Sequence, residues 1–176
     1  MENEMNSLEI LVAPDPRLQE KAMPIEKVDR SIRELMDQLL ETMHFKQGVG
    51  LAATQVGINK RVIVIDLGKE GFLKPFLMAN PELLWTSSTT QAIQEGCLSV
   101  PGHYADVVRP QRVRLTYLDE NNKKQQLEAS DLLASCVQHE IDHLNGVLFI
   151  NHLSFLKRKF ILNKLIKEQK YNQGPL

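Results

Sequence analysis

The stretch Gln138-His139-Glu140-Ile141-Asp142-His143, inside an otherwise apolar run from Leu132 to Leu144, decides how this chain must fold. At about 100° per residue on a helix, His139 and His143 fall only ~40° apart and one turn along, so two imidazoles can meet one ion. Glu140 lies beside them, not between them. In the His-Glu-x-x-His pattern of zinc peptidases that glutamate does not ligate; it handles the proton of the attacking water. Ser130 and Asp131 offer this helix an N-cap, and Asn145-Gly146 offers a left-handed exit. Because the run is apolar nearly all round, the helix is expected to be buried, with the rest of the chain wrapped around it. Gln138, His139, Glu140, Asp142 and His143 would then each need a partner, and a metal with its surrounding hydrogen bonds supplies several at once. The alternative is a surface helix with two chance histidines.

Outward from this helix, the middle of the chain reads as strands. Arg61 to Asp66, Phe76 to Ala79 ahead of Asn80-Pro81, Glu82 to Ile93, Tyr104 to Val108 and Gln111 to Leu118 carry the apolar and β-branched residues of extended segments. Asp119-Glu120-Asn121-Asn122 predicts a hairpin turn into Lys123 to Ala129. Residues 11–28 carry Pro14, Pro16 and Pro24 and read as an irregular lead-in. After it, Asp29 can cap a helix whose Ile32, Leu35, Met36, Leu39, Leu40 and Met43 form one buried stripe. In Gly48-Val49-Gly50-Leu51-Ala52-Ala53-Thr54-Gln55 the glycines and alanines leave the backbone nearly bare, either as a simple turn or to admit another backbone. A last helix from Leu153 to about Lys170 closes the chain. Strands in the middle and helices at the ends predict an α+β fold, a single domain over residues 1–176 with antiparallel strands around a central metal-binding helix.

Length and charge narrow the function. A chain of 176 residues suffices for one full core, and a formal net charge of −1 gives no general attraction to nucleic acid or membrane. The basic residues are uneven, however: Lys157, Arg158, Lys159, Lys164, Lys167 and Lys170 crowd the last helix against Glu168 alone. Met1 to Ile10 is polar, unlike a signal peptide, and no run approaches the ~20 apolar residues of a membrane span, so a cytoplasmic protein is expected. There, Cys97 and Cys136 are expected as free thiols, available as ligand or core.

Two histidines need a third ligand. Cys97, after the glycine of Glu95-Gly96-Cys97-Leu98-Ser99, would complete a Cys-His-His site with an open position, as catalysis requires. Cys136 lies inside the buried helix and reads as a small apolar residue. On the helical wheel Leu132 and Cys136 project at about 20° and 60° from His139, so both share the donors' side of the helix, where they either wall a pocket for a first side chain or simply pack against the sheet. Glu95, Asp142 and Arg109 are candidates for holding the ligands from behind, or are ordinary charges.

Together, Gly48-Val49-Gly50-Leu51-Ala52-Ala53-Thr54-Gln55, Glu95-Gly96-Cys97-Leu98-Ser99 and His139-Glu140-Ile141-Asp142-His143 resemble the three signature motifs of the peptide deformylase family, in order and spacing. The resemblance implies a metal-dependent hydrolase that removes the N-formyl group from the initiator methionine of new polypeptides. It also implies roles: Cys97, His139 and His143 bind the metal, Glu140 is the acid/base, and Gln55 with the Leu98 amide holds the oxyanion. Val49, Gly50, Glu95, Gly96, Leu132 and Cys136 are expected to contact substrate. The implied ion is Fe2+, with Zn2+, Ni2+ or Co2+ able to substitute; a thiolate ligand makes the ion a weaker Lewis acid than three imidazoles would. The basic last helix resembles that of members which dock at the ribosome, and a monomer is expected. Two other readings remain: a different His-Glu-x-x-His peptidase, for which His152 would have to displace Cys97, and a non-catalytic metal or ribosome-binding module.

Overall fold

In the structure, a computed structural model, residues 7–68 and 74–172 are described; Met1–Asn6 of the polar N-terminal stretch lie outside them. Helix α1, Arg30–Phe45, begins at Asp29, whose carboxylate accepts from the Ile32 amide at 3.1 Å. Its expected stripe is buried, except that Leu40 is only half-buried and Thr42 takes a core place instead. The Thr42 hydroxyl accepts from the Leu8 amide at 3.0 Å, which satisfies a polar group the apolar pattern did not reveal.

Seven strands follow: β1 (Gly50–Ala52), β2 (Val62–Ile65), β3 (Phe76–Thr86), β4 (Thr90–Cys97), β5 (Val100–Pro110), β6 (Arg112–Leu118) and β7 (Lys124–Ser130). They form an antiparallel sheet in the order β1-β2-β3-β6-β7 and a separate β4-β5 hairpin. Several boundaries differ from expectation: β4 runs on to Cys97, β5 begins at Val100 and not at Tyr104, and the last helix begins at Phe155. Asn80-Pro81 does not end a strand but lies within β3, at a register shift between Ala79 and Glu82. A bulge tolerates a residue without an N–H, and Asn80, at φ 47°, turns its side chain to pair both ways with Ile25, at 2.9 and 2.8 Å. Nor is Glu82 to Ile93 one strand. It is broken at residues 87–89, where the Ser87 hydroxyl donates to the Thr89 carbonyl at 2.8 Å and accepts from the Arg112 amide at 3.0 Å. The hairpin turn after β6 is as expected, with Asn122 at φ 59°.

Helix α2, Asp131–Leu144, carries the histidine motif and is buried from Leu133 through Ile141. Leu133, Ala134, Val137, Ile141 and Leu144 pack on Ile63, Ile65, Met78, Val113, Leu115 and Ala129 of the large sheet. Each such aliphatic burial contributes roughly 1.5–3 kcal/mol, so the helix is held by its packing. Its caps differ from the simplest expectation: Ser130 takes the N-cap position without a side-chain bond. At the far end Gly146 adopts φ 74°, and a methyl group there would overlap the Gln19 carbonyl. A 3-10 turn, Phe149–His152, then leads to α3, Phe155–Asn172, of which Ile161 and Leu165 are buried. Among the described residues no helix is long and apolar enough to cross a membrane. The result is the expected α+β arrangement.

Candidate metal centre and its cavity

The buried α2 and the end of β4 bring three soft or borderline donors together. His143 Nε2 lies 3.2 Å from both His139 Nε2 and Cys97 Sγ, and all three atoms fall within 4.8 Å of one another. Around a tetrahedral ion, bonds of about 2.0–2.1 Å to nitrogen and 2.3 Å to sulfur put donors roughly 3.3–3.6 Å apart. Two edges of the donor triangle are therefore close to those a bound metal imposes, and the third lies within 4.8 Å. Cys97 reaches it because the β4-β5 register shifts between Gly96 and Cys97.

The orientation of His139 is set from behind. Its Nδ1 bonds Glu95 Oε2 at 2.8 Å, so Nδ1 carries a proton and Nε2 is the nitrogen turned towards Cys97 and His143. Arg109, only 4% exposed, grips Glu95 through Nε at 2.5 Å and Nη2 at 3.0 Å, and reaches Asp142 through Nη1 at 2.8 Å. Asp142 also accepts from His152 Nε2 at 2.8 Å. The three residues named as candidates for supporting the ligands thus form one network. Burial alone would raise the Glu95 carboxyl, but the bonds from His139 and Arg109 prevail and lower it to about 2. Burial, with the neighbouring His139 charge, holds His143 well below the ordinary histidine value. At His139 burial acts the same way but is overcome by Cys97 and Glu95.

A cavity of about 440 Å³ opens on this centre, and its walls include Val49, Gly50, Gln55, Glu95, Gly96, Leu98, Leu132, Cys136, His139 and Glu140. Every residue expected to contact substrate is therefore at the cavity. Glu95 is there too, but its carboxylate is taken by Arg109 and His139. Cys136 is buried, which pushes its thiol up to about 12 and keeps it a neutral, apolar wall. Glu140 is buried as well, and burial first of all pushes its carboxyl up to about 7. Its Oε2 has no hydrogen-bond partner among the described residues, and neither does His143 Nδ1. An acid/base must keep such an oxygen free for the proton it moves.

Gln55 has a fixed sense. Its Oε1 accepts from the Ala52 amide at 2.9 Å, which turns Nε2 towards Ser99 Oγ at 3.1 Å and Cys97 Sγ at 3.4 Å. Ser99, Phe149 and Tyr104 belong to the site but were not foreseen. Phe149 stacks on the His139 ring, with centroids 6.2 Å apart and planes at 21°. Tyr104 pairs across the hairpin with Gly96, where a Cβ would run into its ring. A glycine opposite an aromatic in a hairpin was the available signal for Tyr104, and the place of Ser99 at the end of the Glu95-Gly96-Cys97-Leu98-Ser99 motif was the signal for Ser99; for Phe149 the sequence carried none. His152 lies on Asp142, not at the metal donors, so it does not displace Cys97.

Known proteins share this arrangement of chain. The polypeptide deformylase profile matches residues 7–159. The peptide deformylase of Alkalilimnicola ehrlichii is 52% identical over 173 residues, covering 97% of this chain and 97% of that one. That of Phenylobacterium zucineum is 52% identical over 163 residues, covering 92% and 96%. The crystal structure of peptide deformylase from Ehrlichia chaffeensis superimposes with a TM-score of 0.89 at 41% identity, covering 96% of this chain and 99% of the other. The structure of the Ehrlichia chaffeensis protein in complex with actinonin also gives 0.89, at 45% identity over 93% and 98%. Identity at about half the positions, sustained over nearly the full length of its relatives, establishes that the chain belongs to the polypeptide deformylase family.

Proposed function

We propose that this chain hydrolyses the N-formyl group from the N-terminal methionine of newly made polypeptides, releasing formate and a free amine. The observation that carries this reading is Glu140, a buried carboxylate with an unpartnered oxygen, beside a Cys97-His139-His143 donor set that faces a partly apolar cavity. A bound divalent ion, held by those three residues, supplies a Lewis acid and a water of lowered pKa. Fe2+ is the favoured ion, with Zn2+, Ni2+ or Co2+ able to replace it.

The chain's own residues do the rest. The bare backbone at Val49 and Gly50 accommodates the extended peptide, while Leu132 and Cys136 offer the unbranched methionine side chain an apolar wall. As water oxygen bonds to the formyl carbon, Glu140 takes its proton; as the C–N bond breaks, Glu140 returns that proton to the leaving nitrogen. The Gln55 Nε2 and the Leu98 amide donate to the oxygen that becomes negative, each contributing roughly 3 kcal/mol when well aligned. The same reading takes the chain as a cytoplasmic monomer of one domain, and the exposed lysines of α3 support that helix as the element that meets the ribosome.

The test is formate release from a formyl-Met peptide by protein purified without oxygen, with metal analysis of the same sample. Unblocked peptides offered alongside separate the readings. Cleavage of internal bonds would point instead to another His-Glu-x-x-His peptidase, and turnover unaffected by a chelator would remove the metal from the mechanism.

A further inference from the structure

The 3-10 turn Phe149–His152 is distant in sequence from Cys97, yet it reaches His139 by two routes. One is apolar: Phe149, 1% exposed, stacks on the His139 ring. The other is polar and runs through four hydrogen-bonded links. His152 Nε2 meets Asp142 Oδ2 at 2.8 Å; the same oxygen accepts from Arg109 Nη1 at 2.8 Å; Arg109 holds Glu95; and Glu95 Oε2 holds His139 Nδ1 at 2.8 Å. Because a carboxylate only accepts, His152 must present Nε2–H, and Asp142 Oδ2 uses its two lone pairs on His152 and Arg109.

The turn that carries His152 is itself fixed, since Asn151 Oδ1 accepts from the Leu148 amide at 2.9 Å. His152 is therefore an anchored group, although its side chain is 38% exposed. Arg109 has two carboxylates to satisfy: Glu95, whose other partner is His139 itself, and Asp142, nearer the surface, whose only further tether among the described residues is His152. Where that tether holds Asp142 determines where the planar guanidinium lies, and hence the angle at which Glu95 meets the imidazole.

We propose that His152 is a positioning residue of the metal centre: through Asp142, Arg109 and Glu95 it fixes the His139 imidazole in its ligating orientation and so slows release of the ion. The proposal rests on the reading of His139 as a metal ligand. The proposed hydrolysis gives His152 no part of its own.

Release of Ni2+ from the loaded protein to a coloured chelator tests it, together with the visible spectrum of the Co2+ form. His152→Phe keeps a ring but removes the donor; His152→Gln keeps an N–H near the position of Nε2. His152→Phe should speed release by about tenfold, the lower end of what partners behind a ligand contribute, and shift the cobalt bands. His152→Gln should restore both to within twofold of the wild type. If His152→Phe proves insoluble, His152→Ala removes the same donor. Release within twofold of wild type and an unchanged cobalt spectrum without the donor would overturn the proposal. So would equal failure of the Phe and Gln variants, because the hydrogen bond would then not be the cause. Failure of the underlying reading looks different: His139→Ala would release the ion no faster than the wild type.

Discussion

Glu140 combines two features that rarely coincide in a residue kept only for packing: it is 4% exposed, and its Oε2 makes no hydrogen bond among the described residues. Glu140→Ala should therefore keep a full complement of metal, measured by elemental analysis, while deformylation falls by roughly 10² to 10⁴. Loss of the ion in that variant would reassign the residue. Glu95 makes a different prediction. Its carboxyl is lowered to about 2 against an ordinary 4.5, so its stabilising contribution is complete above the ordinary value and fades as pH falls towards the folded one. With chelator present, the melting temperature of the wild type should drop between those two values more steeply than that of Glu95→Gln. Parallel curves would mean that the Arg109–Glu95–His139 contacts do not stabilise the folded chain. The residues with their own chemistry, Cys97, His139, Glu140 and His143, were legible because few other arrangements explain them. Arg109 could not be told from a surface charge, since nothing local in Val107-Val108-Arg109-Pro110 says which carboxylates the fold will bring to it.

At the scale of elements, the site depends on β1 and α2 touching where Gly50 has no side chain. A methyl group on Gly50 would overlap the Glu140 carboxylate, whereas one on Gly146 would overlap the Gln19 backbone carbonyl at a left-handed φ of 74°. These two Gly→Ala changes should fail in opposite ways. Gly50→Ala pushes the end of a side chain, so kcat should fall about 10²-fold, the scale of an ångström's misplacement, with melting temperature and metal content nearly kept. Gly146→Ala should leave the chemistry of surviving protein intact and cost stability of about 1–2 kcal/mol or more, read by denaturant unfolding. A Gly50→Ala protein with unchanged kcat would show that Glu140 has room to move. In the sequence, the glycines of Gly48 to Gln55 suggested either a turn or a close backbone approach. The structure makes this segment a short strand and a 3-10 turn, with the close approach coming from Glu140. The α2 helix was readable because one long run sets both its burial and its ends. The β3–β4 boundary was not, because the serines of the turn at residues 87–89 sit among Thr86, Thr89 and Thr90, which also suit strands, with no glycine or proline to mark the break.

At the scale of the whole molecule, the cavity and α3 are separate: no residue of α3 lines the cavity, and Phe155, Leu156 and Phe160 face outward with most of the basic side chains. Such a helix can touch a large partner without disturbing the metal centre. Of the basic residues on α3, Arg158 is half-buried, so changing it would mix docking with packing. Lys157, Lys159 and Lys164 are exposed and make the cleaner set. Replacing all three by Glu should weaken binding to ribosomes, and the loss should be largest at low salt, since cation–phosphate contacts contribute less as salt rises. Turnover of a short formyl-Met peptide should stay within twofold of wild type, because that substrate meets only the cavity. Ribosome binding that survives the triple reversal at low salt would make α3 a structural cover held by Ile161 and Leu165, with its charges serving solubility alone.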